Sequence, residues 1–139
     1  YLMTIEGKNE QRILDKNGCK TPIGTVEFAW YNIWAPIDRI VEQNALTVID
    51  ASTVLDEQLV DYHYSKSTRH SGSVPIYDPA HRFYYFSNMS PNEAIVFKQL
   101  DSRRGIAKAC PHTAFYDTSV KHFHGRRSIE LRALCLFER

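Results

Sequence analysis

The 139 residues contain no run of basic side chains, no glycine-rich phosphate loop and no G-x-S-x-G elbow. The first absence removes nucleic acid as an expected partner, because holding phosphates takes clustered Lys and Arg. Arg103-Arg104 and Arg126-Arg127 are isolated pairs in a chain of net charge +1. The other two absences remove the signatures of nucleotide-binding folds and α/β-hydrolases. Cysteine is scarce and odd in number: Cys19, Cys110 and Cys135 share no metal-knuckle or C-x-x-C spacing. That argues for reduced thiols and against a disulfide framework. No apolar stretch approaches a membrane span, and no signal peptide opens the chain. A cytoplasmic protein with no membrane partner is the expectation.

What the chain does have is a globular composition, 43% hydrophobic and 12% aromatic. That predicts one domain over 1–139 with a real core. Aromatic and β-branched runs predict short strands over Val26–Ile33, Ala45–Ile49, Leu59–Tyr64, Arg82–Phe86, Ala94–Leu100, Ile106–Ala109 and Ser128–Phe137. Ser, Gly and Pro predict a loop over Ser65–Pro79, and Lys16-Asn17-Gly18 a turn. A short helix fits Glu10–Leu14, and Ser90 with Glu93 reads as a capping box opening a single turn. Many short strands and almost no helix make the fold mainly β, a sandwich or barrel.

Thirteen residues separate His112 from Arg126-Arg127-Ser128. A histidine at one strand end, with Arg-x-Ser opening the next strand, suits a site that holds a metal and a dicarboxylate together. Imidazole binds iron(II), the guanidinium fork takes a carboxylate with two parallel hydrogen bonds, and a serine hydroxyl adds a third. From Arg126 the even positions read Arg, Ser, Glu, Arg, and from Ile129 the odd positions read Ile, Leu, Ala, Cys, Phe. Such alternation marks a half-buried strand, with Cys135 a small core residue on its apolar side. The plain alternative is a polar face turned to water, with His112 a core histidine satisfied by backbone. The other histidines are weaker. His122-x-His124 would point two rings at one metal on a strand, yet it reads as a solvated hairpin loop. His81 suits a turn or packing role, and His63 and His70 lack supporting spacing.

Seven segments occur together in one order: Asn32-Ile33-Trp34-Ala35-Pro36-Ile37, Leu46-Thr47-Val48-Ile49-Asp50, His81-Arg82-Phe83-Tyr84-Tyr85-Phe86, Met89-Ser90-Pro91-Asn92-Glu93-Ala94, Phe97-Lys98 with Asp101-Ser102, Pro111-His112-Thr113-Ala114-Phe115, and Arg126-Arg127-Ser128-Ile129-Glu130-Leu131-Arg132-Ala133. Jointly they resemble the C-terminal half of the fungal and bacterial hydroxylase/desaturase family, a branch of the iron(II)- and 2-oxoglutarate-dependent oxygenases. The resemblance implies a double-stranded β-helix, a jelly-roll or cupin-like barrel, whole or partial. It implies Fe(II) held by His112 as the distal histidine of a two-His-one-carboxylate triad, and 2-oxoglutarate held by Arg126 with Ser128 assisting. Asn32 and Trp34 would line or support the substrate pocket.

Two positions depart from the family pattern, Ala35 for an arginine and Arg127 for a glutamate. The family's H-x-D pair has no counterpart among these residues, and aligning Thr4 with its Ser/Thr puts Leu2 at the carboxylate position. The remaining ligands are therefore expected from an upstream segment, a second copy or a companion chain. The implied activity is hydroxylation or desaturation of a small organic molecule in specialised metabolism. The aromatics Phe28, Trp30, Trp34, Tyr84 and Phe86 suggest an apolar or ring-bearing substrate. Two other readings stand beside it: a non-catalytic binding protein on the same barrel, and a cupin-type lyase or isomerase with His112 as general base.

Overall fold

A computed structural model describes residues 27–63 and 71–137. The expected helix over Glu10–Leu14, the turn at Lys16-Asn17-Gly18, and Cys19 and His70 lie outside the described residues. Eight strands follow in chain order: β1 (Glu27–Pro36), β2 (Leu46–Ile49), β3 (Leu59–His63), β4 (Ser71–Pro75), β5 (Phe83–Tyr85), β6 (Ile95–Asp101), β7 (His112–Ala114) and β8 (Ser128–Phe137). The only helical pieces among the described residues are single 3-10 turns at Ala51–Thr53 and Asp56–Gln58. No helix among them is long and apolar enough to cross a membrane. The strands form two three-stranded sheets, β6-β1-β8 and β5-β2-β7, and the hairpin β3-β4. All pairings are antiparallel. The fold is the double-stranded β-helix type.

Directly paired residues of antiparallel strands point to one side, so the register assigns the faces. Along β1, Trp34 is opposite Ile95 and Glu130, Asn32 opposite Phe97 and Arg132, and Pro36 opposite Ser128. In the second sheet Val48 pairs with both Tyr84 and His112. Trp34, Val41, Ala45, Leu46, Met89 and Phe97 form the core, with Val48, Ile95, Cys110 and Phe115 packed on it. The even residues of β1 and the Val48–His112 row therefore face each other across the space between the sheets. Gln99 is an extra residue in β6: Lys98 pairs with Tyr31 and Leu100 with Trp30, which makes a bulge.

Four expectations need correction. First, β8, the next strand in sequence after the one that carries His112, does not pair with it. β8 pairs in full register with the equally long β1, and β7 pairs with β2 in the other sheet. The connection over 115–127 crosses between the sheets. Second, the apolar side of β8 is not the core side. Ile129 and Leu131 are 60% and 61% exposed, and with Val96 and Ile33 they share the outer face. The polar side of β8 turns toward Asn32 and Trp34, and Cys135 sits half-buried on the outer side. Third, Ser71–Pro75, expected within a loop, is strand β4. It lacks apolar alternation and is recruited by pairing with β3, where Gly72 passes under the Tyr62 ring so closely that a Cβ would lie 3.1 Å from it. Fourth, Ile106–Ala109 is not a strand. Gly105, at φ 73, turns the chain there, and Cys110 N–H donates to the Lys98 carbonyl.

Candidate functional site

Strand β7 begins with His112, whose ring packs edge-to-face on Phe97 at 4.6 Å between centroids. The His112 Nδ1 lies 3.1 Å from the Cys110 carbonyl oxygen. A carbonyl can only accept, so this contact makes Nδ1 the protonated nitrogen and leaves the Nε2 lone pair for a ligand. Backbone anchoring of the non-ligating nitrogen is how metal-binding histidines are commonly oriented. Burial pushes the neighbouring Cys110 thiol up, and its Sγ lies 3.5 Å from the Ile49 carbonyl. That thiol is a packing group.

Arg126 ends the crossing loop two residues before β8. Its backbone is held because Ile37 N–H donates to the Arg127 carbonyl at 3.0 Å, extending the β1–β8 ladder by one rung. The Arg126 guanidinium lies over the Trp34 ring, 5.5 Å from Cζ to the centroid, and Nη1 donates to the Asn44 carbonyl at 2.6 Å. No carboxylate among the described residues pairs with it, although the side chain is half-buried. Ser128 opens β8 opposite Pro36, on the same side as Trp34. Trp34 and Phe97 are diagonal neighbours on adjacent strands. One ring is touched by Arg126 and the other by His112, so both side chains reach the same inter-sheet space.

Asn32 sits between these groups. It is fully buried, opposite Phe97 and Arg132, and neither its Oδ1 nor its Nδ2 has a hydrogen-bond partner among the described residues. A buried amide left unpaired costs about 1–3 kcal/mol, so it is seldom kept without a reason.

Two other histidines, His81 and His124, are engaged elsewhere. His81 is buried, with Nε2 3.0 Å from Gln58 Oε1, which ties β5 to the hairpin. His124 is exposed, and its backbone N–H and ring meet Glu42 at 2.8 and 3.2 Å. Residues the sequence reading missed are Gln43 and Asn44, which stand directly behind Arg126. Their hydrogen bonds span 74 and 82 residues of chain, so no local pattern announces them. Among the described residues no group of three or more His, Cys, Asp or Glu is placed to hold a metal.

A family model described as "YDMC: Oxidoreductase/YMDC permease-like domain" matches residues 9–136. Hydroxylase/desaturase asaB of Aspergillus flavus is 33% identical over 128 residues, which cover 80% of this chain and 56% of that protein. Alpha-ketoglutarate-dependent dioxygenase tstK of Talaromyces stipitatus is 26% identical over 131 residues, covering 89% of this chain and 47% of that protein. Among solved structures, the iron and alpha-ketoglutarate-dependent endoperoxidase NvfI superposes with a TM-score of 0.75 at 22% identity, over 91% of this chain and 48% of that one. The chain spans about half the length of the curated relatives it matches.

Proposed function

Because this chain belongs to the oxidoreductase/YMDC permease-like family, we propose that it is the keto-acid-gripping part of an iron(II)- and 2-oxoglutarate-dependent oxygenase. The substrate class is a small organic molecule, hydroxylated or desaturated in specialised metabolism, in a reducing cytoplasmic setting. Supporting this reading, the similar curated proteins are named hydroxylase/desaturase and alpha-ketoglutarate-dependent dioxygenase.

The observation that carries it is Arg126: a half-buried cation with an indole on one side, a carbonyl at one nitrogen, and no carboxylate partner among the described residues. A cation in that setting is completed by an anionic ligand, since an unpaired charge away from water is costly. Arg126 would take the distal carboxylate of 2-oxoglutarate, and Ser128 would add its hydroxyl. His112 fits iron(II) because its Nδ1 is tied to backbone and its Nε2 is free. With dioxygen as the oxidant, the bound metal and keto acid would supply chemistry able to remove hydrogen from an unactivated C–H bond. Trp34 and Phe97 keep water from the space beside them, and Asn32 offers a donor and an acceptor to a polar group of the substrate. The two other ligands that iron needs would come from residues outside those described, on the same chain, a second copy or a companion chain.

The test is calorimetric titration of 2-oxoglutarate into the protein and its Arg126→Ala variant. The variant is expected to bind between roughly ten- and a hundredfold more weakly, the worth of a charge-assisted hydrogen bond, while folding is preserved. Equal affinity in both proteins refutes the reading.

One observation favours a second reading, a non-catalytic binding protein on the same barrel: the described residues hold no complete metal-ligand set. Iron content together with 2-oxoglutarate turnover to succinate separates the two. A binding protein takes up the keto acid without turnover.

A further inference from the structure

We infer that Gln43 and Asn44 form the mount that aims Arg126, which makes Gln43 a positioning residue for the distal carboxylate of the keto acid. The inference rests on the reading of Arg126 given above. Gln43 is 2% exposed, and its carboxamide makes three hydrogen bonds. Nε2 donates to the Asp117 carbonyl at 2.8 Å, and Oε1 accepts from the Asp117 N–H at 2.7 Å. One side chain thereby makes the pair of bonds that two opposed strand residues exchange. It locks the loop between β1 and β2 to the loop that crosses from β7 to β8.

The same Oε1 accepts the Asn44 N–H at 3.1 Å. Asn44 lies at φ 56, in the left-handed region that non-glycine residues enter at some cost and that asparagine tolerates best. Backbone held in that region by its surroundings is characteristic of sites that need a fixed direction. What it directs is the Asn44 carbonyl, which accepts from Arg126 Nη1 at 2.6 Å. A guanidinium carries five N–H donors in a rigid fork, so fixing one nitrogen against a carbonyl and the plane against Trp34 fixes where the others point. Four links run in series: the Asp117 backbone, the Gln43 carboxamide, the Asn44 carbonyl and the Arg126 fork. Remove the second and the first three no longer constrain the fourth.

The experiment compares two probes on the full chain by calorimetry, 2-oxoglutarate and 2-oxopentanoate, which has the same carbon count but no distal carboxylate. The ratio of their dissociation constants reads the Arg126 contact and little else. Arg126→Ala is expected to abolish the preference for 2-oxoglutarate. Gln43→Leu and Gln43→Glu are expected to lower it about tenfold, the effect of misdirecting a charge-assisted hydrogen bond, with 2-oxopentanoate affinity unchanged. Gln43→Glu keeps the acceptor atom for two backbone N–H groups and therefore remains measurable where the leucine variant unfolds. If the Gln43 variants retain the preference, or lose affinity for both probes alike, the mount is refuted while the Arg126 assignment stands. If Arg126→Ala itself leaves the preference unchanged, both fail.

Discussion

The β6-β1-β8 sheet treats charge and polarity in opposite ways at its two ends. At the end near Phe28 the buried charge is fully paired. Asp101 is 3% exposed and accepts from Lys98 Nζ at 2.8 Å, from the Arg103 guanidinium at 3.0 and 2.8 Å, and from the Arg103 backbone N–H at 3.0 Å. The Arg103 guanidinium in turn lies 3.8 Å over the Phe137 ring. At the end near Trp34 the demands are left open: among the described residues Asn32 has no partner at either amide atom, and no carboxylate pairs with Arg126. One strand, β1, runs through both ends. The difference teaches where to look for a ligand, because a satisfied cluster is complete as it stands and an unsatisfied one is waiting for a molecule.

The comparison breaks most readily at its satisfied end. Asp101→Asn removes the charge that two cations share and is expected to cost about 3 kcal/mol, seen as a melting temperature lowered by about 10 °C. Its bonds to Arg103 hold the Asp101 carboxyl well below the usual carboxylate range. A depressed folded-state value means stability that is present above the unfolded aspartate's pKa of about 4 and is lost as pH falls below it toward the folded value. Melting curves from pH 6 downward should show that loss in the native protein and a shallower one in Asp101→Asn. Equal slopes would show that Asp101 is not the group responsible. At the open end the signs reverse. Arg126→Ala, which loses most of its affinity for 2-oxoglutarate, should leave the melting temperature nearly unchanged. Asn32→Leu should raise it by about 3–5 °C, since an orphaned amide gives way to an apolar group of similar size, roughly 1 kcal/mol. A lowered melting temperature for Asn32→Leu would mean that Asn32 is a structural residue with a partner of its own. The smallest effect belongs to Arg127→Ala. Its ion pair with Asp38 is exposed on both sides, and denaturation midpoints should not distinguish the variant from the parent.

Much of this was legible in the chain, and the limits have physical causes. Strands β1, β2, β5, β6 and β8 announce themselves by aromatic and β-branched runs, whereas β4 is Ser-Gly-Ser-Val-Pro and becomes a strand only because β3 offers it a ladder. Alternation told that β8 has two faces. It could not tell which is inward, because Ile129 and Leu131 look like core residues until the β1 register turns Ser128, Glu130 and Arg132 inward with Asn32 and Trp34. The pairing of His112 with Arg126 came from short motifs in order; in the structure the two side chains lie against neighbouring rings, Phe97 and Trp34. Gln43 and Asn44 were silent because their chemistry lies entirely in contacts with residues far along the chain. The capping box at Ser90 is half right: Glu93 Oε2 accepts the Ser90 N–H at 2.8 Å, closing a turn that no helix follows.

The bulge at Gln99 has a consequence for how such a strand can change over time. Phe97 and Leu100 both point inward although one is odd and the other even, because the extra residue between them absorbs the change of parity. Placed in line, Gln99 would rotate Leu100 outward and carry Asp101 to the inner face. Accommodated as a bulge, it shields everything after it from the insertion. It also makes Gln99 the one position of β6 that could be lost without altering the facing of a neighbour, and among the described residues its own buried Oε1 has no partner to lose. A strand built this way carries a spare residue, so its length can drift by one while its pattern stays in phase.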